Sequence, residues 1–222
     1  MFVIVEDRLT LIDTGFRGSL RRITEFVNSI GRDIQEIDLA IITHNHLDHI
    51  GSLAELRELT DIKTAIHRID VENTVNELPY PGGKRINKLF TIPPLASLRE
   101  RLVMDAGDAN MLLDDGNLLP VLGGLRVIHT PGHTAGSISL YAERDKLLFV
   151  GDALQKHYGR PCPPSKMVSS DLEVALDSIE KMAQLNCDII CFGHGKPIMK
   201  NGQKMLQNLV AKQRGNTVKG YI

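Results

Sequence analysis

His44-Asn45-His46-Leu47-Asp48-His49, closed by Ile50 and Gly51, packs three imidazoles and a carboxylate into six residues. The apolar run Asp38-Leu39-Ala40-Ile41-Ile42-Thr43 before it reads as a buried strand, and Ser52–Leu59 after it reads as a helix. The cluster is therefore expected on a loop at the C-terminal end of a strand, where open α/β sheets bind ligands. Its spacing implies metal chemistry. His44 and His46, one residue apart, can turn towards one ion when the backbone is extended or turning. Asp48 and His49 then point elsewhere, and a second ion would satisfy them. Imidazole with carboxylate suits zinc or iron, and an open coordination position makes such a site catalytic rather than structural.

Working outward, every further candidate ligand falls at the end of an apolar strand beside a glycine. His133 follows Pro131-Gly132, Asp152 follows Gly151, and His194 sits between Gly193 and Gly195. Small neighbours let a side chain and its backbone approach an ion closely. One histidine after a strand is ordinarily a packed residue, but several strand ends carrying His or Asp in the same way point to convergence on metal. His67 and His129 are expected to be structural. His157 and Tyr158, on the loop after Asp152, are candidates for lining a substrate pocket.

Composition narrows the class. At 222 residues with 42% hydrophobic content, one domain spanning 1–222 is the simplest count, built from two similar halves. Two echoes suggest those halves. Asp38 to His44 and Asp188 to His194 share the pattern Asp, apolar strand, histidine, and Leu9–Asp13 resembles Leu147–Asp152 apart from one inserted glycine. Lysine plus arginine total 26 against 27 acidic residues, so no polyanion partner is written into the charge. The N-terminus lacks the basic segment and apolar core of a signal peptide, and no apolar run reaches the roughly 20 residues of a membrane span. A cytoplasmic protein is expected, with no nucleic acid or membrane partner. Cys162, Cys187 and Cys191 are expected as reduced thiols, the last two on one strand face.

The remaining elements follow from periodicity and punctuation. Two short strands, Val3–Val5 and Leu9–Ile12, precede a helix over Ser19–Ile30 stopped by Gly31. A strand covers Lys63–Ile66. Residues 70–102 are expected to be irregular, with some helix and a wall of the substrate pocket. Strands are expected at Asn117–Val121, Leu125–Thr130, Ile138–Tyr141, Lys146–Val150 and Ile189–Phe192. A second irregular loop should span Gln155–Val168. A helix over Leu172–Leu185 should be capped by Ser170 or Asp171, and a polar helix should run from about Asn201 to Gln213.

These motifs, in this order, resemble the metallo-β-lactamase superfamily of metal-dependent hydrolases. The likeness runs from Leu11-Ile12-Asp13-Thr14-Gly15 through His44–His49, Thr130-Pro131-Gly132-His133-Thr134 and Val150-Gly151-Asp152 to Phe192-Gly193-His194-Gly195. It implies an α/β fold, a four-layered αβ/βα sandwich of two mixed sheets flanked by helices. It further implies a binuclear centre of two divalent ions, zinc first, with iron or manganese as alternatives. His44, His46 and His133 would bind one ion, Asp48, His49 and His194 the other, and Asp152 would bridge them. Asp13 would orient the site without ligating, and Asp48 would also serve catalysis. Attack by metal-bound hydroxide on a carbonyl is the implied chemistry.

Within the superfamily, a small ester, thioester or lactone is the expected small-molecule substrate. A bridging Asp152 argues against a true β-lactamase. About 27 residues after His194 are fewer than glyoxalase II-like proteins use for glutathione. The alternatives are a mononuclear iron persulfide dioxygenase-like oxidoreductase and a phosphodiesterase or RNA-processing hydrolase. The sheet edge ahead of Asp13 is expected to be short, which leaves room for a homodimer to cover it.

Overall fold

The computed structural model describes the backbone of residues 1–71 and 109–219, and their side chains apart from 167 and 214–219. The chain divides into two compact units, Met1–Leu113 and Asp114–Ile222. Each is a β-sheet with flanking helices.

In the first unit, β1 (Phe2–Val5) and β2 (Leu9–Ile12) form an antiparallel hairpin around the charged turn Glu6-Asp7-Arg8. Then β3 (Ile37–Ile42), β4 (Lys63–His67) and β5 (Met111–Leu113) join in parallel, giving the order β1-β2-β3-β4-β5. Alternation decides the packing. Leu9 and Leu11 of β2 and Ala40 and Ile42 of β3 share one face, and there they meet Ile23 and Val27 of α1 (Leu20–Ser29). Leu53 and Leu56 of α3 (Leu53–Leu59) complete that cluster. Each such buried Leu or Ile contributes about 1.5–3 kcal/mol over its exposed state.

The second unit carries β6 (Leu118–Leu119), β7 (Leu125–His129), β8 (Ile138–Ala142) and β9 (Leu147–Phe149) as an antiparallel meander. The last strand, β12 (Ile189–Cys191), pairs in parallel with β9, so the order is β12-β9-β8-β7-β6. Against it packs α4 (Leu172–Ala183), capped by Asp171, whose carboxylate accepts from the Glu173 and Val174 amides. Leu206 of α5 (Gly202–Lys219) reaches the same core. The expected class, two mixed sheets flanked by helices, is what these units display.

Both sequence echoes acquire a structural cause. Leu9–Asp13 and Asp38–His44 run through β2 and β3, an adjacent parallel pair; Leu147–Asp152 and Asp188–His194 run through β9 and β12, also adjacent and parallel. In each unit, one such pair presents its C-terminal ends side by side.

Several expectations need correction. Leu47–Ile50 is a helical turn, α2, so the metal motif is half loop and half helix rather than all loop. His46 sits extended at its N-cap, and Asp48 lies in the first turn where the backbone dipole favours a carboxylate. Gln155–Val168 is not irregular throughout: β10 (Gln155–His157) and β11 (Arg160–Cys162) form an antiparallel hairpin there. Only Cys191 lies on the strand assigned to it and Cys187. Cys187 precedes β12, and both thiols are buried, free and pushed up to about 11 by desolvation. The strand at Met111–Leu113 had no apolar alternation to announce it. The expected irregular segment 70–102 lies outside the described residues from residue 72 onward.

Candidate metal centre

The first unit arranges its candidate ligands around one buried carboxylate. Asp13 follows β2 with φ +61, a left-handed backbone that aspartate tolerates better than most residues. That conformation turns its side chain towards the end of the neighbouring β3. There its Oδ1 accepts the Thr43 amide at 2.8 Å, and its Oδ2 accepts the Thr43 hydroxyl at 2.9 Å. The same Oδ2 lies 2.7 Å from His49 Nδ1. A carboxylate there keeps the proton on Nδ1, so Nε2 retains its lone pair and faces Asp48 Oδ2 at 3.7 Å. The backbone reinforces the contact, since the Thr14 amide and hydroxyl both donate to the His49 carbonyl.

His44 and His46 present their nitrogens together. His44 Nε2 and His46 Nδ1 are 3.1 Å apart, while His44 Nδ1 meets the Thr43 hydroxyl at 3.1 Å. The two rings stand edge to face at 76°, so the nitrogens converge without the rings stacking. Two nitrogens bound tetrahedrally at about 2.0–2.1 Å lie about 3.3 Å from each other, close to the spacing seen here.

A pair of residues that the sequence did not single out shapes this turn. Asn45, between the two histidines, donates its amide N–H to Asp70 Oδ2 at 3.0 Å and its side-chain amide to the Asp70 carbonyl at 2.9 Å. Asp70 is fully buried. The clasp holds the backbone between His44 and His46 so that both imidazoles leave the same side. The one available signal was an amide residue between two ligands, and its partner lies 25 positions away. Asp70→Ala would leave the buried Asn45 amide without this acceptor. It is expected to cost about 1–3 kcal/mol in urea denaturation and to weaken metal binding by about 10–100-fold in a chelator competition.

The second unit brings His133, Asp152 and His194 together. β9 and β12 deliver Asp152 and His194 from adjacent parallel strands, and the Gly193 amide donates to the Gly151 carbonyl at 2.7 Å. The turn after β7 delivers His133. Asp152 Oδ2 lies 3.3 Å from His194 Nε2 and 3.8 Å from His133 Nε2. Asp152 and His133 are buried, whereas the His194 side chain is 53% exposed. Ser170 and Asp171, ahead of α4, donate their amides to the His133 and Gly132 carbonyls and hold that turn.

The other titratable candidates separate cleanly. His67 is buried, and its Nδ1 accepts the Ile69 amide. His129 Nε2 pairs with the Ala135 carbonyl. Both are structural, as expected. His157 and Tyr158 stand at the tip of the β10–β11 hairpin and line a cavity with β11 and α5. None of His133, Asp152 or His194 lines that cavity.

A sequence model of the metallo-β-lactamase superfamily matches residues 1–194, which spans every candidate ligand. The chain belongs to that superfamily. Among metallo-β-lactamase superfamily relatives, it is 30% identical over 204 residues to the probable metallo-hydrolase YflN of Bacillus subtilis, covering 85% of this chain and 75% of that protein. It is 28% identical over 194 residues to the hydroxyacylglutathione hydrolase GloC of Haemophilus influenzae, covering 86% and 81%. In fold it is similar to a metallo-β-lactamase family protein from Thermus thermophilus, with TM-score 0.71 at 24% identity over 96% of this chain and 73% of that one. The expectation of a metal-dependent hydrolase agrees with this membership. No helix among the described residues is long and apolar enough to cross a membrane.

Proposed function

We propose that this chain is a binuclear hydrolase of a small ester, thioester or lactone, in which the two units' ligands complete one centre. His44, His46 and His133 would hold one divalent ion, Asp48, His49 and His194 the other, with Asp152 between them. The observation that carries this reading is Asp152: a single carboxylate oxygen within 3.8 Å of two histidines, which on this reading would serve different ions. The match of the superfamily across both units supports joining their ligands.

The residues present fit such ions. Neutral imidazoles and carboxylates suit zinc, iron and manganese alike. When bound, divalent ions polarise a substrate carbonyl and acidify water. The chain's own residues do the rest. Asp13 fixes the tautomer and orientation of His49, and Thr43 does the same for His44. Asp48, with its side chain 24% exposed, can orient an entering water and take up its proton. Asp152, buried beside two imidazoles, supplies the negative charge that offsets cationic ligation. The thioester option draws support from the relative named hydroxyacylglutathione hydrolase.

Metal analysis of the purified chain tests the proposal. Two divalent ions per chain are expected, and Asp48→Ala is expected to retain only one. Two ions kept by that variant would remove Asp48 from the ligands. A single iron in the parent chain, with persulfide consumed instead of thioester, would replace the hydrolase by a dioxygenase.

A further inference from the structure

The β10–β11 hairpin is built against its own turn preference. His157 pairs with Arg160, so Tyr158 and Gly159 form a two-residue turn, both with positive φ (+47 and +77). Turns of this kind favour Asn, Asp or Gly at the first position. A tyrosine there is strained, and its side chain gains nothing by burial, being 94% exposed. Strain retained to hold a large aromatic in water marks a place where something else supplies the contact.

The surroundings define what that is. The cavity behind the tip has a volume of about 950 Å³, at the upper end of small-ligand pockets. Its apolar lining comes from Pro161 in the hairpin, Pro163 just after it, and Met205 and Leu209 of α5. Arg160 lines it from the hairpin and Lys212 from α5, and among the described residues that line it none is a carboxylate. Among the described residues, neither cation has an ion-pair partner. The hairpin is anchored from the other side, since Lys156 donates to the Lys196 carbonyl and its ammonium lies 5.7 Å from the Phe192 ring centroid. The T-shaped contact between His157 and Tyr158, with centroids 4.4 Å apart, holds the exposed ring at the mouth.

We infer that this cavity is a binding site for an organic anion with a flat or aliphatic apolar body, its acid group held by Arg160 and Lys212 and its body covered by Tyr158. Guanidinium and ammonium together favour a carboxylate, sulfonate or phosphate head, and the Pro-Met-Leu lining favours an apolar remainder. Recognition does not depend on metal. The site therefore stands whether or not the hydrolase reading does.

Titration of the purified chain with 8-anilinonaphthalene-1-sulfonate tests it, with neutral N-phenyl-1-naphthylamine as the uncharged counterpart. Saturable one-site binding of the sulfonate is expected. The double variant R160Q/K212Q is expected to weaken it by about tenfold or more while changing the neutral probe less than about twofold. Tyr158→Gly removes the ring and the backbone strain together, so it should weaken both probes without lowering the melting temperature. Unchanged sulfonate affinity in R160Q/K212Q, or equal losses for both probes there, would overturn the proposal. So would Tyr158→Gly binding both probes as the parent does.

Discussion

Asp152→Ala is expected to lower hydrolysis of any thioester or lactone that the parent chain turns over by on the order of 10³-fold, because in the proposed centre several kcal/mol of Lewis-acid stabilisation would go with the ion lost. Asp152 lies close to both His133 and His194, which leave the sheet from different strands. Removing its carboxylate takes away a negative charge that both ions would share and leaves the two neighbouring imidazoles without it. The fold should survive. The side chain packs at the C-terminal end of β9, not in the apolar cluster formed by Leu148, Val150, Ile179 and Ile190. Turnover and melting temperature, measured on the same preparation, separate the two effects. A variant that melts like the parent and keeps its rate would remove Asp152 from the chemistry.

Gly132→Ala is expected to produce the largest stability loss. Gly132 has φ +124, a conformation that side-chain-bearing residues avoid. A Cβ there would lie 2.4 Å from the Ala175 backbone N and Cα, in the first turns of α4. Neither obstacle is the end of a flexible side chain, so the helix or the turn must move. Strain and overpacking together predict roughly 2–6 kcal/mol, or a fall of roughly 5–20 °C in melting temperature. Gly116→Ala is the control. Its φ is +80, yet nothing lies within 4 Å of the added carbon, so only the backbone cost of about 1 kcal/mol applies. Equal losses in the two variants would mean that contact with α4 is not what requires glycine at 132.

Gly132 also shows where sequence reading stops. Pro131-Gly132-His133 was visible as a strand end delivering a ligand, and glycine as a residue permitting close approach. The object approached is α4, about forty residues on, and no local pattern could name it. Asp13 is similar: its motif was legible, but its bonds to Thr43 and His49 needed β2 and β3 to be neighbours. The hairpin at 155–162 was missed because Gln155, Lys156 and His157 lack alternation, and because Tyr158-Gly159 is an unusual turn pair. Its strands are three residues each, too short for periodicity to speak.

By itself, the sequence determined the ligand chemistry: donors one or two residues apart, or one beside a glycine at a strand end, are properties of the local chain. It also determined the alternation of strand and helix, since apolar period and capping are local too. Only the tertiary structure decided the orientation of those donors, through Asp13 on His49 and Asp70 on Asn45, and the cation-lined cavity between the hairpin and α5. Those contacts join residues 25 to about 50 positions apart, and such pairings form only when buried apolar faces bring distant segments into register.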